Sequence, residues 1–257
     1  MKKKCALITG ASGGIGSSIA LRLARDGFAV AACYRSDEAG IVSLAAELDV
    51  IGAEYKIYRA DVADYSQMNT VFADATEEFG GVSVLVNNAG VAQQKLFTDI
   101  TEEEFDFITG VNFKGVFNCC KCAVPFMVNQ KSGKIINISS MWGVYGASCE
   151  TVYSATKAAV IGLTKALARE LAPSNIQVNC VAPGAIDTKM NSNLSPDERA
   201  ALADEIPMGR FGLPGEIAGV VSFLAGSDSD YVTAQVITLW AFCRKTGLLF
   251  GYSLQLI

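Results

Sequence analysis

Short apolar runs rich in β-branched residues alternate along the chain with longer stretches whose hydrophobic positions recur at helical spacing. The runs fall at Cys5–Thr9, Phe28–Cys33, Tyr55–Arg59, Val84–Asn87, Lys134–Ile138, Gln177–Val181 and Val236–Leu239. The amphipathic stretches cover Ile15–Asp26, Ala39–Leu48, Ser66–Phe79, Glu102–Gln130 and Val152–Leu171. A run that is apolar throughout predicts a strand buried on both faces. Alternation of strand and helix predicts parallel strands joined by right-handed crossovers. The pattern therefore predicts an α/β fold: a doubly wound, mostly parallel sheet of about seven strands with helices on both faces. No repeat, low-complexity tract or Pro/Gly/Ser linker breaks the rhythm, so residues 1–239 read as one domain.

Sheets of this kind bind ligands at the carboxyl ends of their strands. After the first strand comes Thr9-Gly10-Ala11-Ser12-Gly13-Gly14-Ile15-Gly16, then a helix. Gly10, Gly14 and Gly16 permit a tight turn and close backbone approach to a pyrophosphate, which the helix N-terminus attracts. The spacing Gly-x-x-x-Gly-x-Gly also suits a purely structural turn, but its place after strand one favours a dinucleotide. An acid ending strand two would bind a ribose 2′-hydroxyl, whereas an Arg suits a 2′-phosphate. Here Arg35 and Ser36 come first and Asp37 lies further on. This favours NADP(H) over NAD(H); the plainer reading of Arg35 is a solvated loop residue. Gly13 stands where a basic residue could have made a second phosphate contact.

Composition narrows the chemistry. The 257 residues include no His, and 51% are hydrophobic against 18% charged. There can be no Ser-His-Asp triad, no Cys-His pair and no His-ligated metal. Proton transfer must use Tyr, Lys, Cys, Asp, Glu or Ser. Ser139-Ser140 follows an apolar run, and Tyr153-Ser154-Ala155-Thr156-Lys157 opens a helix thirteen residues later. The i, i+4 spacing puts Tyr153 and Lys157 on one helical face. A nearby ammonium is expected to lower the Tyr pKa. Ser140 could hydrogen-bond a substrate oxygen as charge develops on it. By itself Tyr153 could equally be a packed helix aromatic; the order of the three motifs carries the reading.

The net charge of −5, from 21 basic and 26 acidic residues, argues against a nucleic-acid partner. It also weakens docking of strongly acidic proteins. No stretch approaches the roughly 18 apolar residues of a membrane span. The basic start Met1–Lys4 precedes an apolar run too short for a signal peptide, so a soluble cytoplasmic protein is expected. The cysteines are Cys5, Cys33, Cys119, Cys120, Cys122, Cys149, Cys180 and Cys243. Cys119 and Cys122 form a Cys-x-x-Cys, but the context reads as helix and no second pair follows. Helix packing, not a metal or redox site, is expected.

Four motifs together resemble the short-chain dehydrogenase/reductase family: Thr9–Gly16, Asn87-Asn88-Ala89-Gly90, Ser140 with Tyr153 and Lys157, and Pro183-Gly184. The resemblance runs from Lys4 to about Ile237. It implies a Rossmann-type fold, a nicotinamide cofactor and reversible hydride transfer to a carbonyl, in one dinucleotide-binding and catalytic domain. It implies that Tyr153 is the general acid, that Lys157 holds the nicotinamide ribose, that Ser140 orients the carbonyl, and that Asn112 supports a proton-relay water. It further implies cofactor contacts from Gly10, Ser12, Gly13, Gly14, Ile15 and Gly16, with Arg35 and Ser36 at the 2′-phosphate. Asp61 and Val62 would meet adenine, Asn88, Ala89 and Gly90 would line the cofactor, and Pro183, Gly184, Ile186 and Thr188 would surround the carboxamide. Asn87 either joins them or simply braces neighbouring strands. No metal is implied.

The overall pattern resembles 3-oxoacyl-(acyl-carrier-protein) reductases. Ser139–Glu150 instead resembles reductases of the 5-aminopentanone-modified Lys of elongation factor P. Glu150 could meet a cationic amine there, or merely favour the helix dipole. The implied substrate is a small-molecule, acyl-carrier-bound or protein-lysine-attached ketone. Where acyl-carrier reductases present Arg beside the site, this chain reads Asn129-Gln130-Lys131 and Pro173-Ser174-Asn175. A non-catalytic dinucleotide sensor is the alternative of another class. The family also implies a homo-tetramer or dimer. After Leu239 the family pattern fails: residues 240–257 contain no acid and many apolar residues. We expect a divergent or frame-shifted tail there.

Overall fold

A computed structural model describes residues 3–188 and 194–239. Seven strands form one parallel sheet: β1 Cys5–Thr9, β2 Ala29–Tyr34, β3 Tyr55–Arg59, β4 Val82–Asn87, β5 Gly133–Ile138, β6 Ile176–Pro183 and β7 Val236–Leu239. Their order is β3-β2-β1-β4-β5-β6-β7, with every neighbouring pair parallel. The order reverses between β1 and β4, so a crevice opens at their carboxyl ends, where such sheets bind ligands.

Strand parity explains why β1 and β2 are buried along their whole length. In β1, Cys5 and Leu7 face one core while Ala6 and Ile8 face the other. In β2, Ala29, Ala31 and Cys33 join the first core, and Val30, Ala32 and Tyr34 the second. Side chains alternate across a strand, so each core takes every other residue. The first core is closed by α3 (Tyr65–Phe79), α5 (Gly115–Gln130) and α7 (Thr151–Leu171). The second is closed by α1 (Gly14–Arg25), α2 (Glu38–Val50) and α9 (Pro214–Ala225). This is the doubly wound, Rossmann-type architecture that the hydrophobic pattern predicts.

The differences have local causes. The predicted helix Glu102–Gln130 is divided into α4 (Glu102–Thr109), one π turn (Gly110–Lys114) and α5. Such turns occur mostly as single insertions, often at functional sites, and a hydrophobic period does not reveal them. Thr101 and Glu104 form a capping box that sets where α4 begins. Three helices were not foreseen: α6 (Trp142–Tyr145), α8 (Pro196–Glu205) and α9. α6 is a single turn, α8 buries none of its residues, and α9 is too uniformly apolar to show a polar face. The strands β2, β4, β5 and β6 differ from prediction by one to a few residues at their ends.

Cys119, Cys120 and Cys122 lie on α5, as expected. Burial pushes the thiols of Cys5, Cys33 and Cys120 up to about 12. Among the described residues no cluster of ligands could hold a metal ion. Nor is any helix among them long and apolar enough to cross a membrane. Cys243 and the tail 240–257 lie outside the described residues.

Candidate active site

The glycine loop joins β1 to α1 at the crevice. Gly10 has φ +65°, and a β-carbon on it would lie 2.9 Å from Ala89 Cα. A β-carbon on Gly16 would run into the Gly10 carbonyl oxygen. These two positions thus require glycine for the turn itself. Gly13 has open space around it, with only the Gly10 carbonyl at 3.7 Å. α1 carries no side-chain cap and no acid in its first turn. Its leading N–H groups and positive dipole end are left to an anion, which fits a pyrophosphate.

Two side chains fasten this loop to the loop after β4. Thr9 Oγ1 accepts from the backbone N–H of both Asn88 and Ala89 at 3.0 Å. Asn88 Nδ2 donates to the carbonyls of Thr9 (3.0 Å) and Gly10 (3.1 Å). The loop after β6 closes the other side, where Thr188 Cγ2 would lie 3.2 Å from a β-carbon on Gly14. Ile186 is buried and forms an isolated bridge with Gly212. Pro183 ends β6 and Gly184 follows it, beside Ser140, since the Pro183 carbonyl accepts from Met141 N at 2.8 Å.

Ser140, Tyr153 and Lys157 converge under this loop cluster. Ser140 is the second residue after β5, and its Oγ accepts from Trp142 N at 3.2 Å. The Ser140 hydroxyl also hydrogen-bonds the Tyr153 phenol. Lys157 is buried on α7, and its Nζ donates to the Ile138 carbonyl at 3.0 Å. That ammonium lies 5.7 Å from the centre of the Tyr153 ring. Ser139 Oγ donates to the Lys157 carbonyl at 2.8 Å, tying the helix to the end of β5. A β-carbon on Gly90 would lie 3.2 Å from Lys157 Nζ and 3.4 Å from Asn112 Oδ1. Glycine there keeps the approach to Lys157 clear.

The expectation that Lys157 lowers the Tyr153 pKa fails here. Burial pushes Tyr153 up to about 12; the Ser140 hydrogen bond opposes this and the charge of Glu150 adds to it. Burial also holds Lys157 down to about 8. Desolvation penalises both charged forms, and Lys157 spends its nearest bond on a carbonyl instead of the phenol.

Asn112 sits in the π turn, fully buried. Its Oδ1 accepts from Val91 N at 2.8 Å and its Nδ2 donates to Val91 O at 2.9 Å and Thr156 Oγ1 at 3.3 Å. The side chain clamps the strand-four loop against α7. Asn87 braces strands: its Nδ2 donates to Asn137 Oδ1 at 2.8 Å, on the adjoining β5.

At the nucleotide end, Arg35 lies 3.5 Å from Asp61 and over the Phe107 ring at 5.3 Å. Ser36 is exposed beside it. The Asp37 carboxylate caps α2, accepting from Gly40 N at 3.0 Å. Asp61 and Val62 follow β3, and Val62 O accepts from Asn118 Nδ2 at 2.9 Å. Ser12, Gly13 and Ile15 are half-buried in the glycine loop. Lys131 and Asn175 are not beside the site. They precede β5 and β6, at the opposite pole of the sheet, where Asn175 Nδ2 donates to Lys131 O at 3.3 Å.

Sequence reasoning passed over Thr9, Ser139 and Thr156 as individual side chains. Each is a short hydroxyl at the end of a strand or the start of a helix, the one signal that could have flagged it.

A family model described as short chain dehydrogenase matches residues 4–199. The chain belongs to the short chain dehydrogenase family. As a short chain dehydrogenase it is an oxidoreductase that acts on carbonyl and hydroxyl groups with a nicotinamide dinucleotide. It is 43% identical to a 3-oxoacyl-(acyl-carrier-protein) reductase of Thermotoga maritima over 92% of this chain and 96% of that one. It is 43% identical to the reductase of the same name from Staphylococcus aureus over 91% and 95%. Among solved structures it resembles a variant of an actinorhodin polyketide ketoreductase crystallised with NADPH. The TM-score is 0.89 at 34% identity, over 93% of this short chain dehydrogenase and 96% of that chain.

Proposed function

We propose that the chain is an NADPH-dependent ketone reductase of the 3-oxoacyl-(acyl-carrier-protein) type, in a single dinucleotide-binding and catalytic domain. The convergence of Ser140, Tyr153 and Lys157 beneath the glycine loop carries this reading. The bound dinucleotide would supply hydride to the carbonyl carbon. Tyr153 gives its phenolic proton to the carbonyl oxygen, and the raised pKa keeps that proton in place until it is needed. Ser140, whose Oγ accepts from Trp142 N and whose hydroxyl bonds the Tyr153 phenol, would turn its own proton to the same oxygen once the carbonyl is bound. Lys157, its Nζ held on the Ile138 carbonyl, would bind the nicotinamide ribose. Asn112 holds the loop that flanks Gly90. Gly10, Gly14 and Gly16 admit the pyrophosphate, the loop that carries Arg35 and Ser36 borders the 2′-phosphate, and Asp61 with Val62 borders adenine. Asn88 to Gly90, and Pro183, Gly184, Ile186 and Thr188, enclose the nicotinamide end.

One observation favours a second substrate. Glu150 sits at the N-cap of α7 with no capping bond, burial raises its pKa, and no cation pairs with it among the described residues. A carboxylate so placed beside Tyr153 would suit a ketone that carries an amine, such as the aminopentanone on elongation factor P. Initial rates of NADPH consumption with an acetoacetyl thioester of acyl-carrier protein and with the aminopentanone-modified factor decide between them. We expect the thioester to be reduced with the higher kcat/KM; a reversed preference favours the second reading, and no turnover of either sinks both.

A further inference from the structure

The carboxyl ends of β2 and β3 hold a second guanidinium besides Arg35. Arg59 is the last residue of β3 and pairs in register with Tyr34, the last of β2. Its Nε donates to the Arg35 carbonyl at 3.2 Å. Its Nη1 lies 3.3 Å from Glu38 Oε1, and Glu38 Oε2 in turn accepts from the Tyr34 hydroxyl at 2.9 Å. Arg59 is thus held against the backbone of the loop after β2, although its side chain is 67% exposed. Arg35 turns the other way, toward Asp61 and Phe107. The one other acid in this loop, Asp37, is occupied at the start of α2.

We infer that Arg59 is a specificity residue for the 2′-phosphate of the cofactor and that Glu38 is the carboxylate this phosphate displaces. The inference rests on the NADP(H) reading above. A ribose at the end of β2 places its 2′ substituent beside the Arg35–Ser36 backbone, which is where the Arg59 guanidinium is anchored. One of its five N–H groups serves the Arg35 carbonyl, leaving a planar face of donors for a phosphate. The Arg59–Glu38 pair is exposed on both sides, and such pairs hold weakly. A phosphate of higher charge exchanges for the carboxylate without uncovering a buried group. Arg35 is the worse placed of the two, because the Phe107 ring occupies its flat side.

The test uses nucleotide fragments, so it does not depend on turnover. The full chain and its Arg59→Gln, Arg59→Lys, Arg35→Gln and Glu38→Gln variants are titrated calorimetrically with 2′,5′-ADP and with 5′-ADP. We expect wild type to prefer 2′,5′-ADP. Arg59→Gln should lose about tenfold in affinity for it, as loss of a charge-assisted hydrogen bond does, with 5′-ADP unchanged. Arg59→Lys should recover part of the loss, and Glu38→Gln should bind 2′,5′-ADP more tightly than wild type. If Arg59→Gln keeps the wild-type preference while Arg35→Gln abolishes it, the inference is overturned and the NADP(H) reading stands. Equal weakening of both ligands would make Arg59 merely structural and overturns the inference too. Absence of any wild-type preference overturns the NADP(H) reading and the inference with it.

Discussion

Lys157 and Tyr153 show what burial does to a neighbouring ammonium and phenol. Lys157 titrates near 8 when folded, below the ordinary lysine value, so between about pH 8 and 10.5 the unfolded chain binds more protons than the native one. Stability contributed through this group must therefore rise with pH across that window, by at most about 1.4 kcal/mol per pH unit. Tyr153 and the buried cysteines act in the opposite sense above their ordinary values, since the native state keeps their protons. Lys157→Met isolates the lysine. Urea unfolding of wild type and variant should show the variant's relative stability falling steadily as pH is raised from 8 to 10; a pH-independent difference would mean that Lys157 is not depressed. The sequence made Tyr153, Lys157 and Ser140 legible through order and spacing. It did not reveal the sign of the Tyr153 shift, because that depends on which acceptor Lys157 finds, here the Ile138 carbonyl.

The element that most departs from its pattern is the long predicted helix after Thr101. Its hydrophobic period is continuous, yet a π turn inserts at Gly110–Lys114 and carries Asn112 inward. Asn112 then satisfies both backbone groups of Val91. Asn112→Ala should leave those groups without partners in a mostly buried place, at a cost of about 1–3 kcal/mol. We expect a lower urea midpoint and a fall in kcat, with NADPH affinity less affected, because the glycine loop is fastened separately by Thr9 and Asn88. Unchanged stability would show that water replaces the clamp. Strands were easier to read than helices for a physical reason: β1 is buried at every position and apolar from Cys5 to Ile8 because it feeds two cores. α8 buries none of its residues and so leaves no hydrophobic stripe to find.

At the scale of the whole molecule, sheet order supplies what no single motif does. Reversal between β1 and β4 brings the glycine loop, the loop after β4 and the end of β5 to one crevice. Residues separated by 79 positions, Thr9 and Asn88, become hydrogen-bonded there. Zero His in the chain leaves Tyr153 as the proton donor of the proposed reaction. Deuteride transfer tests that claim most directly. Wild type and Tyr153→Phe are each incubated with a β-ketoester and NADPH deuterated at the transferred position, and the alcohol is weighed by mass spectrometry. Wild type should yield an alcohol one mass unit heavier; Tyr153→Phe should bind NADPH normally and yield almost none. Deuterated alcohol from Tyr153→Phe at a near wild-type rate would contradict the account.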